Sequence, residues 1–332
     1  MTAIAPAPAA PEPPRAAPEV EPKPPRPPKP AKPPRPPRRP PQELITPRAP
    51  LTRGQQLARG TTILIIILFG AFLLNLLVLS HIEHLAAQQQ LLMQYRQQLT
   101  DGTAPVNEGD FEGVLLPDGA PVALIDIPDL RVHEVVVEGT TSSAMRAGPG
   151  HRRDTVLPGQ AGVSVIMGRA AAYGGPFGSL PQMVPGMRFT VITGQGESEF
   201  EVIGVRYAGE NSPPPPTGGE SRLVLESARG PMFVPTGVVR VDAELVGDAL
   251  DPGARQTGYY ALGPAELEMG SDASTVWLLV FVLQLFVLAE LIAVWVGPRV
   301  GGQKTWIVFA PVIGLAAIFA ADQINRLLPN LM

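Results

Sequence analysis

The chain has 332 residues, 45% of them hydrophobic, a net charge of −4 and no cysteine. So small a charge gives no footing for nucleic acid, and without cysteine there is no disulfide framework, thiolate metal site or thiol nucleophile. The balance hides an asymmetry: the first fifty residues hold 20 of the 40 prolines and are basic, while the middle of the chain is acidic.

Residues 1–58 interleave proline with Arg15, Lys23, Arg26, Lys29, Lys32, Arg35, Arg38 and Arg39 and offer few large apolar side chains. Little here offsets the entropy of ordering a backbone, so the segment reads as a disordered, polyproline-II-rich tail. A solvated basic spacer is the simplest role. Its PxxP spacings, Pro24 to Pro27 among them, also fit an aromatic docking groove, and its charge favours anionic membrane lipid.

Residues 61–80 carry no charge and are long enough to cross a hydrocarbon core of about 30 Å. Arg53 and Arg59 precede them, so the positive-inside rule leaves the preceding tail in the cytoplasm. Asn75, the one strongly polar residue of the span, is read as sitting near the outer interface, with a bond to a neighbouring helix as the alternative. Beyond it, Val78, Leu85, Leu92 and Leu99 are spaced by seven and predict a helical stalk over 81–105, monomeric or packed on the next domain.

From 106 to 248 the texture changes to short β-branched runs separated by Gly and Pro. Strands are predicted at 122–128, 133–139, 162–168, 188–194, 199–208, 222–228 and 238–247, with short helical turns near 142–146 and 179–184. Regular spacing with turn signals argues for a closed or sandwich-like all-β domain. A linker over 249–272 leads to a second apolar span at 275–296, bracketed by Trp277 and Trp295, and a third at 305–321. The loop 297–304 between them carries Arg299 and Lys304 and belongs in the cytoplasm, which places 82–272 outside. Glu290, inside the second span, is a candidate proton or ion site, or a group neutralised or paired with Lys304; one acid on three spans makes no transport path.

Within 162–180 a strand ends at Gly168 and runs into a loop with Tyr173, Gly174, Pro176 and Phe177. This resembles the segment carrying the catalytic histidine of sortases, the class E type above all, in which Gly-His-Arg precedes Thr-Tyr-Gly-x-Pro-Phe-Gly. Further similarity lies in Ile127-Pro128, in Val137-Glu138-Gly139, in 145–151 with Arg146, Gly148, Pro149, Gly150 and His151, in Leu157-Pro158-Gly159-Gln160, and in Pro216-Thr217-Gly218-Gly219 before Arg222-Leu223. The resemblance covers roughly 121–247. It implies a mainly β fold, a sortase-type barrel held outside the membrane of a high-GC Gram-positive bacterium, and a transpeptidase using Cys, His and Arg.

At those three positions this chain has Ala228, Arg169 and Val238. An alanine methyl cannot attack a carbonyl, and a guanidinium stays protonated and cannot serve as a general base near neutral pH. Ser227 should face away from the groove, because adjacent strand residues point to opposite sides. The resemblance therefore implies a pseudoenzyme needing no cofactor and no metal. Its remaining groove, walled by loops at 171–180 and 209–220, would bind a carboxylate or peptide through Arg169, Arg240, His151, Tyr173 and Glu226. Arg240, two residues beyond Val238 on one strand face, could stand in for the lost arginine; His151 reads more simply as a loop hydrogen-bonding residue, and Arg169 alternatively as a solvated loop end. The expected partner is a cell-surface or envelope protein, an active sortase included. The alternative is a family transpeptidase or hydrolase with a remodelled site.

Overall fold

Every second residue of Arg188–Thr193 is buried while its neighbours are less so, as expected of a strand with one face in a core. Elsewhere, as in Pro121–Ile127 and Ser221–Arg229, strands are buried on both faces, and together they close into a barrel. In the computed structural model, which describes residues 52–110 and 112–332, eight strands succeed one another in chain order: β1 (Pro121–Ile127), β2 (Val132–Glu138), β3 (Gly150–His151), β4 (Gly162–Met167), β5 (Arg188–Thr193), β6 (Gly196–Tyr207), β7 (Ser221–Arg229) and β8 (Gly237–Leu245). They close in the order β1-β2-β3-β4-β7-β8-β6-β5. Two pairings are parallel, β2 with β3 and β4 with β7; the others are antiparallel. Seven of the strands match the sequence expectation; the two-residue β3 has no counterpart in it.

The barrel interior holds Ile125, Val136, Ile166, Phe189, Val191, Phe200, Leu223, Leu225, Val239 and Val241, with Phe177 and Leu180 closing one end. Phe189 and Phe200 stack with centroids 5.8 Å apart. Each such side chain contributes about 1.5–3 kcal/mol by leaving water.

Helix α1 (Arg53–Leu74) starts at a capping box in which Thr52 accepts from the Gln55 amide and Gln55 answers to the Thr52 amide. Residues 53–58 are therefore helical and not part of a tail; the rest of that expectation, residues 1–51, lies outside the described residues. A π-helical turn (Asn75–Leu79) joins α1 to α2 (Ser80–Asp101), and Gly102, at φ 68°, ends it in the left-handed conformation. The turn buries Asn75, whose side-chain oxygen accepts from Asn325 of the last helix. Asn75 is thus an interhelical contact rather than an interface residue.

Only the C-terminal half of the heptad stripe docks: Leu92 and Leu99 pack against the cluster that holds α2 to the barrel. Val78 and Leu85 are about half exposed, while His84, Leu91 and Tyr95 are buried. Leu91 and Tyr95 pack on Leu124, Val135 and Val137, the outer face of β1 and β2. Tyr95's hydroxyl lies 3.0 Å from the Val122 carbonyl and 3.2 Å from that of Ile192. Gln88 acts as a substitute strand residue: its amide accepts from Val135 N–H at 2.7 Å and donates to the Val135 and Ala147 carbonyls at 3.0 and 2.7 Å. A side chain at Gly148 would collide with Gln88 and the Val135 carbonyl, which explains that glycine.

Helices α3 (Val276–Val300) and α4 (Gly302–Arg326) are separated only by Gly301, so the expected loop at 297–304 is a one-residue break. Three helical stretches, Gly54–Asp101, Ala273–Val300 and Gly302–Arg326, are long and apolar enough to cross a membrane. Leu64, Phe286 and Ala317 form the seam of α1, α3 and α4. Glu290 faces that seam and accepts from the Thr61 hydroxyl at 3.4 Å, not from Lys304. A Cβ at Gly60 would meet its carboxylate at 2.5 Å.

Candidate functional site

Period-two alternation decides what β7 shows to each side. Leu223 and Leu225 enter the barrel, whereas Val224 and Ala228 face outward among Met145, Val165, Met167 and Val238. Register then sets Ala228 opposite Val238 and Glu226 opposite Arg240 on β8. The four positions form one patch on the barrel's outer wall, apolar at one end and charged at the other. Ser227 is fully buried and donates to the Gly168 carbonyl at 2.9 Å, so it faces away from the patch.

Arg169 comes directly after β4 and lies beside this patch, but it is 1% exposed. It is neither a solvated loop end nor an open positive wall. Its Nη2 donates to the Ser142 carbonyl at 2.7 Å and the Ser142 hydroxyl at 2.8 Å, and its Nε to the Met145 carbonyl at 3.3 Å. Its Nη1 reaches the main-chain oxygens of Met332 at 3.2 Å and Pro329 at 3.4 Å. Burial lowers its pKa to about 10, with Arg146 adding to the effect and Tyr173 opposing it. The charge persists at neutral pH, its donors taken by main-chain oxygens and the Ser142 hydroxyl rather than by a side-chain carboxylate.

Tyr173 is also buried, with the guanidinium of Arg169 4.9 Å and that of Arg146 5.4 Å from its ring centroid. Its φ is 51°, unusual for a bulky residue, and Gly174 next to it has φ 81°. A Cβ at Gly174 would lie 2.7 Å from the His84 ring. The loop motif thus serves two contacts: Gly174 admits α2, and Gly168 admits the ring of Phe177.

Glu226 and Arg240 are locked together. Arg240 Nε donates to Glu226 at 2.9 Å, and its Nη2 pairs with Glu268 from the segment after the barrel. Burial, with a smaller push from the neighbouring Glu268, raises Glu226 to about 7 against the opposing pull of Arg240. His151 is elsewhere. Its Nδ1 is 2.9 Å from Glu138 and its Nε2 3.0 Å from the Val156 carbonyl, all buried. It is a structural hydrogen-bonding residue of β3, so the candidate binding set divides: Arg169 and Tyr173 at one end, Glu226 and Arg240 at the other, and His151 in neither.

A cavity of about 210 Å³ adjoins Ala228 and is walled by Ala170, Pro181, Gly230, Met232, Phe233 and Met332 among others. The expected wall at 209–220 does not line it. That loop is held at the opposite end of β7, where Arg222 donates to the Pro214 carbonyl. The residues that complete the site, Thr140, Ser142, Met145, Glu268 and 327–332, are absent from the sequence expectation. The available signal is Gln323 and Asn325, polar residues beyond the third apolar span, both buried.

Residues 125–229 match the family model described as the sortase domain. The barrel has the sortase fold. Similar solved structures include a sortase D5 transpeptidase of Clostridium perfringens, 19% identical over 49% of this chain and 99% of that one, TM-score 0.40. Others are sortase E1 of Streptomyces coelicolor with a tripeptide in its active site, 20% identical over 40% and 91%, TM-score 0.35, and the SrtF sortase of Corynebacterium diphtheriae, 20% identical over 49% and 99%, TM-score 0.36. No curated protein matches the chain. The sortase domain ends at Arg229 in the family match, so Ala228, near the end of β7, lies inside it.

Proposed function

We propose that this is a membrane-anchored, catalytically inactive sortase-like protein whose barrel works as a binding or scaffold module at the outer cell surface. The observation that carries the reading is the chemistry at the end of β7. Ala228 and Val238 face each other in an apolar cluster, Arg169 spends its donors on main-chain and hydroxyl oxygens, and the chain has no cysteine. Neither a nucleophile nor a base stands where sortase chemistry would need one.

The partner class that suits such a module is a cell-surface or envelope protein presenting a peptide, and an active sortase falls within it. The orientation rests on the basic flanks: tail and α3–α4 turn inside, barrel outside. The test is incubation of the purified full chain in detergent with sortase substrate peptides. No cleavage or transpeptidation above a protein-free control is expected, and Ala228→Cys alone should restore none. Turnover by the unmodified chain would replace this reading with that of a remodelled hydrolase.

A further inference from the structure

The patch on β4, β7 and β8 is covered. After α4 the chain turns back, and residues 327–332 (Leu-Leu-Pro-Asn-Leu-Met) lie against the barrel beside Arg169 and Ala228. Leu331 is fully buried with Ala228, Val238, Met145, Val165, Met167 and Val224. Its carbonyl accepts from the Ala170 N–H at 2.9 Å. Asn330 is fully buried too; its side-chain amide donates to the Thr140 carbonyl at 2.8 Å and the Leu267 carbonyl at 2.9 Å, and its N–H to Gly270 at 2.8 Å. The Leu328 carbonyl accepts from Ser142 at 3.0 Å. Met332 N–H donates to the Pro329 carbonyl at 3.1 Å, which folds the segment into a turn rather than a strand.

These contacts have the form of ligand recognition. One branched aliphatic side chain fills an apolar socket, one amide is read by two carbonyls, and main-chain oxygens end on a buried guanidinium. The socket exists because positions 228 and 238 carry Ala and Val, and the guanidinium because position 169 is Arg.

We propose that residues 327–332 are the built-in ligand of this cleft, a turned Pro-Asn-Leu peptide that plugs it in cis and ties the barrel to the end of α4. The inference deepens the reading of the cleft as a non-catalytic binding site: it names a short turned peptide with an Asn followed by a branched aliphatic as what the site accepts, and the chain itself as its source. A peptide from another protein enters only by displacing this segment. Because α4 also meets the barrel through Asp322 and Arg146, 3.2 Å apart, displacement would loosen the barrel from the membrane hairpin.

Amide hydrogen exchange on the full chain in detergent tests the plug, since the Ala170 N–H is bonded directly to Leu331. Leu331→Asp puts a charge into the apolar socket and should speed exchange at Ala170 more than tenfold. Asn330→Ala removes two hydrogen bonds without adding charge and should speed it severalfold. Exchange at Val191, inside the barrel, should stay slow in both and so separates release from unfolding. If Leu331→Asp opens Val191 as well, Asn330→Ala decides alone. Ala170 exchanging like an exposed amide in the parent chain, or unchanged in the deciding variant, would overturn the proposal. No arm uses catalysis or partner capture, so that failure would leave the non-catalytic reading standing.

Discussion

Replacing Arg169 by Met keeps the length and apolar stem of the side chain and removes its donors. The Ser142, Met145, Pro329 and Met332 oxygens then lose this partner in a site that is 1% exposed at the arginine. An unsatisfied buried acceptor costs about 1–3 kcal/mol, and breaking a buried charged contact about 3–5 kcal/mol. Part of this is returned, because the guanidinium is desolvated without a side-chain carboxylate partner and its pKa is lowered to about 10, chiefly by burial. A net loss of about 3 kcal/mol is expected. For a unit of this size each kcal/mol lowers the melting temperature by about 2–4 °C, so the barrel transition of the full chain should fall by about 6–12 °C. Circular dichroism in detergent at constant pH measures it. Arg169→Lys, with one compact ammonium in place of a fork, should lose roughly half as much. A shift within about 2 °C for Arg169→Met would refute the argument, since it would mean the buried donors hold nothing together.

Two other measurements probe the same structure. The Glu226 carboxyl is raised to about 7 from an ordinary 4.5, so the folded chain binds that proton more tightly than the unfolded chain. The stability it confers is full below about 4.5 and is lost as pH rises through about 7. Glu226→Gln, permanently neutral, should therefore gain on the parent between about pH 4.5 and pH 7 in paired melts, and parallel curves would contradict this. Single cysteines placed across this cysteine-free chain should label from outside within 82–272 and after 321, but not at position 30; labelling there would reverse the orientation.

The barrel is legible in the sequence because its signal is local. Arg188–Thr193 alternates, with one face buried, and Pro121–Ile127 is a short apolar run buried on both; either pattern between Gly and Pro marks a strand. The strand Gly150–His151 has two residues and exists only through its neighbours, so no periodicity could show it. That α2 packs on the following domain is among the sequence expectations, but the residues that carry the contact are only partly legible. Its docked face includes His84 and Gln88, polar residues whose partners are a carboxylate and main-chain groups; of the heptad residues, Leu92 and Leu99 join it while Val78 and Leu85 stay about half exposed. A hydrophobic stripe finds apolar seams and is blind to a helix held by hydrogen bonds to a strand edge.

The site divides along the same line. That Ala228 and Arg169 offer neither a nucleophile nor a base near neutral pH is plain from residue type alone, and needs no coordinates. What those residues do instead is not, because the partners of Arg169 are main-chain oxygens at 142, 145, 329 and 332, and every residue type has a carbonyl. The substitutions also belong together. An apolar pair at 228 and 238 with a buried guanidinium at 169 reads, position by position, as three separate losses. Set against a segment that supplies one aliphatic side chain and several carbonyls, the three are complementary to a single occupant. Under the plug proposal, the residues at 169, 228 and 238 are the ones that shape the socket, and a nucleophile placed at 228 would sit beneath Leu331 rather than before a substrate.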